Sequence, residues 1–229
     1  MRGATGFFLI LLLLSFLFSY WGKGPGPVAS PLVLPGVLDN RGEVTAAAAA
    51  LPGLVAEEPV LYFSHGCACV VGEVMNERKR ATAWVRVEAI FRNRRGEIVG
   101  QEYTYINHLN PGEKKPYRLL LPEEEAVESI EIFIAPGYPA QEKAIPLMGS
   151  DLQISRGKGG FLHITGKVTN IGTEELDLVK VILKFTGAEG EIIAMAFHYL
   201  PDLQPGEERK FACSSEEREG WTGVEMLFD

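Results

Sequence analysis

Cysteine is scarce in this chain: 229 residues include three, Cys67, Cys69 and Cys213. An odd count excludes a closed disulfide framework. Cys67 and Cys69 lie two apart, so on a strand both side chains point the same way and cannot bridge comfortably. Histidine is sparse as well, with His65, His108, His163 and His198 scattered along the chain. No Gly-x-Ser-x-Gly elbow, His-Glu-x-x-His pair or phosphate-binding loop is present. The acidic run Glu123-Glu124-Glu125 has no identifiable second carboxylate and reads as a solvated loop. These absences point away from an enzyme, and no cofactor is expected. Basic residues form no stripe and the net charge is −8, which excludes nucleic acid as a partner on electrostatic grounds. No stretch beyond the first two dozen residues shows amphipathic helical periodicity.

One long apolar run is present. Residues 3–22 form 20 uncharged positions between Arg2 and Lys23, rich in Phe and Leu. As a helix this run would reach about 30 Å, enough to span a bilayer. Tyr20 and Trp21 sit where an interfacial anchor belongs. Residues 1–22 are therefore expected to be a membrane anchor, with a cleaved signal segment as the alternative. The expected location is the cell membrane, single-pass, with the rest of the chain on the extracytoplasmic side. The alternative is secretion after cleavage. Residues 23–58, rich in Gly, Pro and Ala, read as a flexible spacer averaging roughly 35 Å end to end.

The remainder is one sequence written twice. Shifted by 94 residues, positions 72–117 lie on 166–211 without a gap, with 14 identities in 46 pairs. Gly72, Val74 and Asn76 meet Gly166, Val168 and Asn170. Val85, Val87 and Phe91 meet Val179, Val181 and Phe185. Pro111-Gly112-Glu113 meets Pro205-Gly206-Glu207. The same offset pairs Val60 with Ile154. A repeat of this length defines the domain organisation: repeat one over 59–135, a short semi-extended linker over 136–149, and repeat two over 150–229.

Each repeat alternates at period two. Val85, Val87 and Phe91 are expected to point inward while Arg86, Glu88 and Arg92 point outward. A Gly-containing turn and a second strand follow, which makes a hairpin. Six or seven short strands per repeat and no helix give an all-β reading: two tandem immunoglobulin-like β-sandwiches.

The strings FRNRRGEIVG (91–100) and HLNPGEKKPY (108–117) resemble the FxLYD domains, small exported bacterial modules. The Gly-x-Val-x-Asn segments at Gly72 and Gly166, the Leu-x-Pro-Gly turns at Leu109 and Leu203, and the aromatics Tyr117 and Phe211 carry the resemblance. It implies an immunoglobulin-like fold, membrane or cell-surface attachment, and a binding or scaffolding role without catalytic residues.

Three constellations stand apart from the shared scaffold. His65, Cys67 and Cys69 alternate on one strand and carry soft ligands for zinc or copper(I). Strung along a strand they spread over roughly 13 Å, so incidental thiols are the plainer reading. A metal- or redox-handling envelope protein is the alternative they define. Even positions of this strand should point inward, leaving the two thiols on the accessible side. Arg78, Lys79 and Arg80 form a basic loop that would suit an anionic cell-wall polymer or a lipid headgroup. Trp84, Ile90 and Phe133 should share an outward sheet face and are the candidate apolar contact patch. The expected function is a non-catalytic binding or scaffolding protein of the cell envelope, its partner an envelope protein or a cell-wall polymer. A passive spacer is a further alternative, and the oligomeric state is open.

Overall fold

Alternation of small or branched apolar residues with polar ones sets the strands. A computed structural model describes residues 47–49, 53–122, 127–135 and 137–229. The expected membrane segment, most of the spacer and the acidic run at 123–125 lie outside the described residues. Among the described residues there is no helix, so none is long and apolar enough to cross a membrane.

Repeat one contains β1 (Ala47–Ala49), β2 (Leu54–Ala56), β3 (Val60–Ser64), β4 (Cys67–Asn76), β5 (Ala81–Arg92), β6 (Ile98–Leu109), β7 (Lys114–Pro122), β8 (Ser129–Ala135) and β9 (Tyr138–Ala140). Repeat two contains β10 (Leu147–Arg156), β11 (Phe161–Asn170), β12 (Leu176–Thr186), β13 (Ile192–Leu203), β14 (Glu208–Glu216) and β15 (Gly223–Phe228). Sheet I has the order β1-β8-β5-β6, with β9 also on β5. In sheet II, β2, β3 and β7 all pair with β4. Sheet III is β10-β11-β14 and sheet IV is β13-β12-β15. Every pairing is antiparallel except β1 on β8.

Sheets I and II enclose one core and sheets III and IV another, giving two β-sandwich-like halves. Val85, Val87, Ala89 and Phe91 of β5 face Ala68, Val70 and Val74 of β4. Val179, Val181, Leu183 and Phe185 of β12 face Leu162, Ile164 and Val168 of β11. Burying one such side chain stabilises by about 1.5–3 kcal/mol.

The repeat is a repeat of register. Gly72 pairs with Tyr117 and Gly166 with Phe211. Val85 pairs with Ile106 and Val179 with Leu200. Both hairpins shift register at the same place, after Phe91 and after Phe185. The shared glycine is required sterically: a Cβ on Gly72 would lie 2.6 Å from Tyr117 Cζ, and one on Gly166 would lie 2.7 Å from Phe211 Cε1. The shared asparagine closes the end of each sandwich. Asn76 Nδ2 donates to the Arg80 and Leu109 carbonyls, both at 3.0 Å, while its Oδ1 accepts from Arg78 N–H. Asn170 repeats all three bonds with Glu174, Leu203 and Gly172. The shared glutamate (Glu113 or Glu207) accepts from the backbone N–H three residues earlier and tightens the Pro-Gly turn.

Three boundaries differ from expectation. The spacer drawn to residue 58 ends earlier, because Leu54 of β2 is fully buried and β1 has already added to β8. The linker at 136–149 is not a free connection: β9 pairs with β5, Asn110 clamps Lys143 through both backbone polar atoms, and β10 begins at Leu147. Finally, Ile154 corresponds to Leu61, not Val60. Leu61 pairs with Val70 and Ile154 with Ile164, and both contact their cores. Between equivalent paired positions, Ser64 with Cys67 and Gly157 with Phe161, the second turn holds one more residue than the first, so the offset is 93 before it and 94 after.

Candidate functional site

The outer face of sheet I carries a cluster of exposed aromatic residues, Trp84, Tyr103 and Tyr105. The inward side of β5 is fully used by the core, so Arg86, Glu88 and Ile90 project the other way. The register places Tyr105, Arg86 and Ala135 in one row across β6, β5 and β8. Tyr103, Glu88 and Phe133 form the next row, followed by Gln101, Ile90 and Glu131. Trp84 stands at the head of the face with φ +56°, a left-handed conformation that bulky residues rarely adopt.

The aromatic rings interlock. Trp84 meets Tyr105 edge-on at 6.2 Å between centroids, and Tyr105 meets Tyr103 edge-on at 5.7 Å. The Arg86 guanidinium lies 4.4 Å from the Tyr103 ring centroid. Charges on this face are paired within it: Arg86 with Glu88 at 2.8 Å and Arg92 with Glu131 at 2.9 Å. Trp84 is 56% exposed, Tyr103 47% and Tyr105 44%, while Ile90 and Phe133 are half-buried among their neighbours. The three expected patch residues thus share one face, and only Trp84 is open. Tyr103 and Tyr105 were missed. Their spacing of two on a strand puts them on that same face, and the Tyr-Thr-Tyr alternation was the available signal.

Most of the corresponding face of repeat two, on sheet IV, is covered, and only its end at Leu178 and Tyr199 stays exposed. Ile182, Lys184, Met195, Phe197 and Leu227 stand where Glu88, Ile90, Gln101, Tyr103 and Phe133 stand in repeat one. Sheet II lies against them, and Tyr62, Cys69 and Val71 pack with Ile182, Ile192 and Met195 in a third buried cluster. Lys184 reaches across to Glu73 at 3.1 Å and also pairs with Glu225 at 2.6 Å. Burial pulls the Lys184 ammonium down, but Glu225 and Glu73 outweigh it, so its pKa stands above the ordinary lysine value. Arg118 stacks on the Phe197 ring at 4.4 Å and donates to the Met195 carbonyl at 3.3 Å. Lys115 pairs with Asp229 at 3.2 Å.

This interface corrects the expectation for the cysteines. Odd positions of β4 do leave the core, as anticipated, but they meet repeat two instead of solvent. Cys69 is 5% exposed, and burial raises its thiol pKa. Its Sγ donates to the Cys67 carbonyl at 3.8 Å, and Cys67 is half-buried. His65 turns away at φ +50°, with Ser64 Oγ 2.8 Å from its Nδ1 and Glu216 at 3.9 Å. His65 belongs to the turn between β3 and β4 and not to the strand that carries the two cysteines. Among the described residues, no group of three or more His, Cys, Asp or Glu side chains is arranged to hold a metal ion.

Arg78, Lys79 and Arg80 occupy the loop from β4 to β5. Lys79 and Arg80 are exposed, while Arg78 is half-buried over Gly53. A further basic stretch, Arg92, Arg94 and Arg95, lies at the opposite end of β5, so the two clusters stay separate. A shallow cleft lined by Arg156, Glu217, Arg218 and Trp221 carries an Arg156–Glu217 ion pair at 2.6 Å and no nucleophile–base pair.

No protein-family model matches the chain, and no curated protein does. Among solved structures, red sea bream transglutaminase is 14% identical over 79% of this chain, with a TM-score of 0.24. A glycosyl hydrolase family 2 member from Bacteroides cellulosilyticus is 10% identical over 67%, with a TM-score of 0.25. The exo-β-D-glucosaminidase CsxA is 12% identical over 74%, with a TM-score of 0.22. The chain spans 30%, 24% and 26% of the lengths of these proteins. Likenesses at these scores carry no argument about function.

Proposed function

We propose that this chain is a non-catalytic binding or scaffolding protein of the cell envelope. In this reading two immunoglobulin-like modules of the FxLYD type are held outside the membrane by the N-terminal segment. The observation that carries the reading is the open outer face of sheet I. Three exposed aromatic rings are locked edge to face on a rigid sheet, and aromatic pairs of this kind suit contact surfaces. The left-handed Trp84 costs about 1–3 kcal/mol of backbone strain, a cost usually met where a side chain is displayed for a purpose. Because the charges on the face are paired within it, the surface suits a neutral, ring-stacking or apolar partner better than an anionic polymer.

Photo-cross-linking from position 84 in intact cells tests this. The matched control is position 178, which is 60% exposed at the equivalent place in repeat two. Reproducible adducts from position 84 but not from 178 are expected. Equal, background-level adducts from both would leave a passive spacer and sink the binding role. Labelling of Tyr138→Cys by a membrane-impermeant maleimide in the same cells checks topology, since Tyr138 is 73% exposed.

A further inference from the structure

We infer that the outer face of sheet I is a docking face for the same face of a second copy of this chain. The inference rests on the binding reading above and names its partner. Its ground is the repeat. The equivalent face in repeat two is already a sheet-to-sheet interface, built around Ile182, Met195, Phe197 and Leu227. Repeat one keeps bulky apolar side chains at equivalent positions, with Tyr103 for Phe197 and Phe133 for Leu227, and adds Trp84 where repeat two has Leu178. The middle of this face is seated in repeat two and open in repeat one, while the end at Leu178 and Tyr199 is open in both repeats.

Charge decides what seats it. Sheet IV carries Lys184 and needs an acid opposite, which Glu73 supplies. In repeat one Ile90 replaces that lysine. The remaining charges are Arg86 and Arg92 against Glu88 and Glu131, balanced in sign. Both pairs are closed within the face, so two copies of it meet without net repulsion, as a two-fold contact between apolar patches requires.

Head-to-tail stacking, the other way two copies could meet, lacks a receptor. Sheet II is already occupied within the chain. Its counterpart, sheet III, has His163, Thr165, Lys167 and Ala212 where sheet II has Cys69, Val71, Glu73 and Arg118. Lys167 there is held by Asp151 at 2.9 Å and Glu208 at 3.0 Å. The apolar seat and the acid are both gone. Sheet III therefore ends the stack as a polar cap, and association closes at two copies instead of propagating.

Sedimentation velocity of the full-length chain in detergent, over roughly 1 to 100 µM so as to bracket a micromolar dissociation constant, tests this. A monomer–dimer equilibrium is expected. Tyr103→Glu should weaken it by about tenfold or more, as a buried aromatic anchor does. Leu178→Glu should leave it unchanged, and both variants should retain cooperative thermal unfolding. Monomer throughout, species larger than a dimer, or a dimer indifferent to Tyr103→Glu would each overturn the inference. The last result would place association elsewhere, the N-terminal segment included. If the chain is monomeric while position 84 still cross-links to another envelope component in cells, the binding reading stands and the self-docking inference alone falls.

Discussion

Asn76 and Asn170 show what a single residue does twice. Each places one amide against two carbonyls 29 residues apart in sequence and one backbone N–H, at the buried end of its sandwich. Asn76→Ala leaves those carbonyls without their donor. Because an unmet buried polar group costs about 1–3 kcal/mol, the substitution should lower stability by roughly 3 kcal/mol, read from the denaturant midpoint. Asn170→Ala should do the same. Such residues were legible in the sequence, since a position recurs across the repeat when its geometry admits no substitute. Gly72 facing Tyr117 and Gly166 facing Phe211 are of that kind. Tyr103 and Tyr105 were less visible. A tyrosine on a strand reads equally as a half-buried sheet residue, and only the neighbours in space show which face is open.

At the scale of elements, β4 and β12 meet across the two halves through the Glu73–Lys184–Glu225 group. Glu73 is 2% exposed and Lys184 11% in their side chains, so the ion pair between them is shut off from water. Lys184→Met should destabilise by about 3–5 kcal/mol because it strands Glu73. The double variant Glu73→Met with Lys184→Met should recover most of that loss and can exceed the parent by about 1 kcal/mol or more. Denaturant midpoints of the single and double variants check both statements. The pH dependence follows from the raised Lys184 pKa. Its contribution is complete below the ordinary lysine value of 10.5 and is lost as pH rises through the raised one. The strands of this interface were readable from alternation, and so was the departure of odd β4 positions from the core. The contact itself was not. It joins residues 111 apart, and nothing local to Cys69, Val71 or Glu73 says whether water or another sheet lies beyond them.

For the whole molecule, the decisive feature is that two similar sandwiches pack by unlike faces. All described residues belong to one compact unit, so the halves are not beads on a string. Their asymmetry buries the middle of one copy of a face and leaves the other copy open. Methionine oxidation tests this packing directly. Met195 is 2% exposed because sheet II covers it, while Met148 of the same half is 52% exposed. Peroxide treatment of the native chain, followed by peptide mass spectrometry, should oxidise Met148 first and Met195 at least about tenfold more slowly, as expected where opening of the interface must precede attack. Equal rates for the two methionines would mean that sheet IV is uncovered in solution, and the distinction between a seated and an open face would be lost.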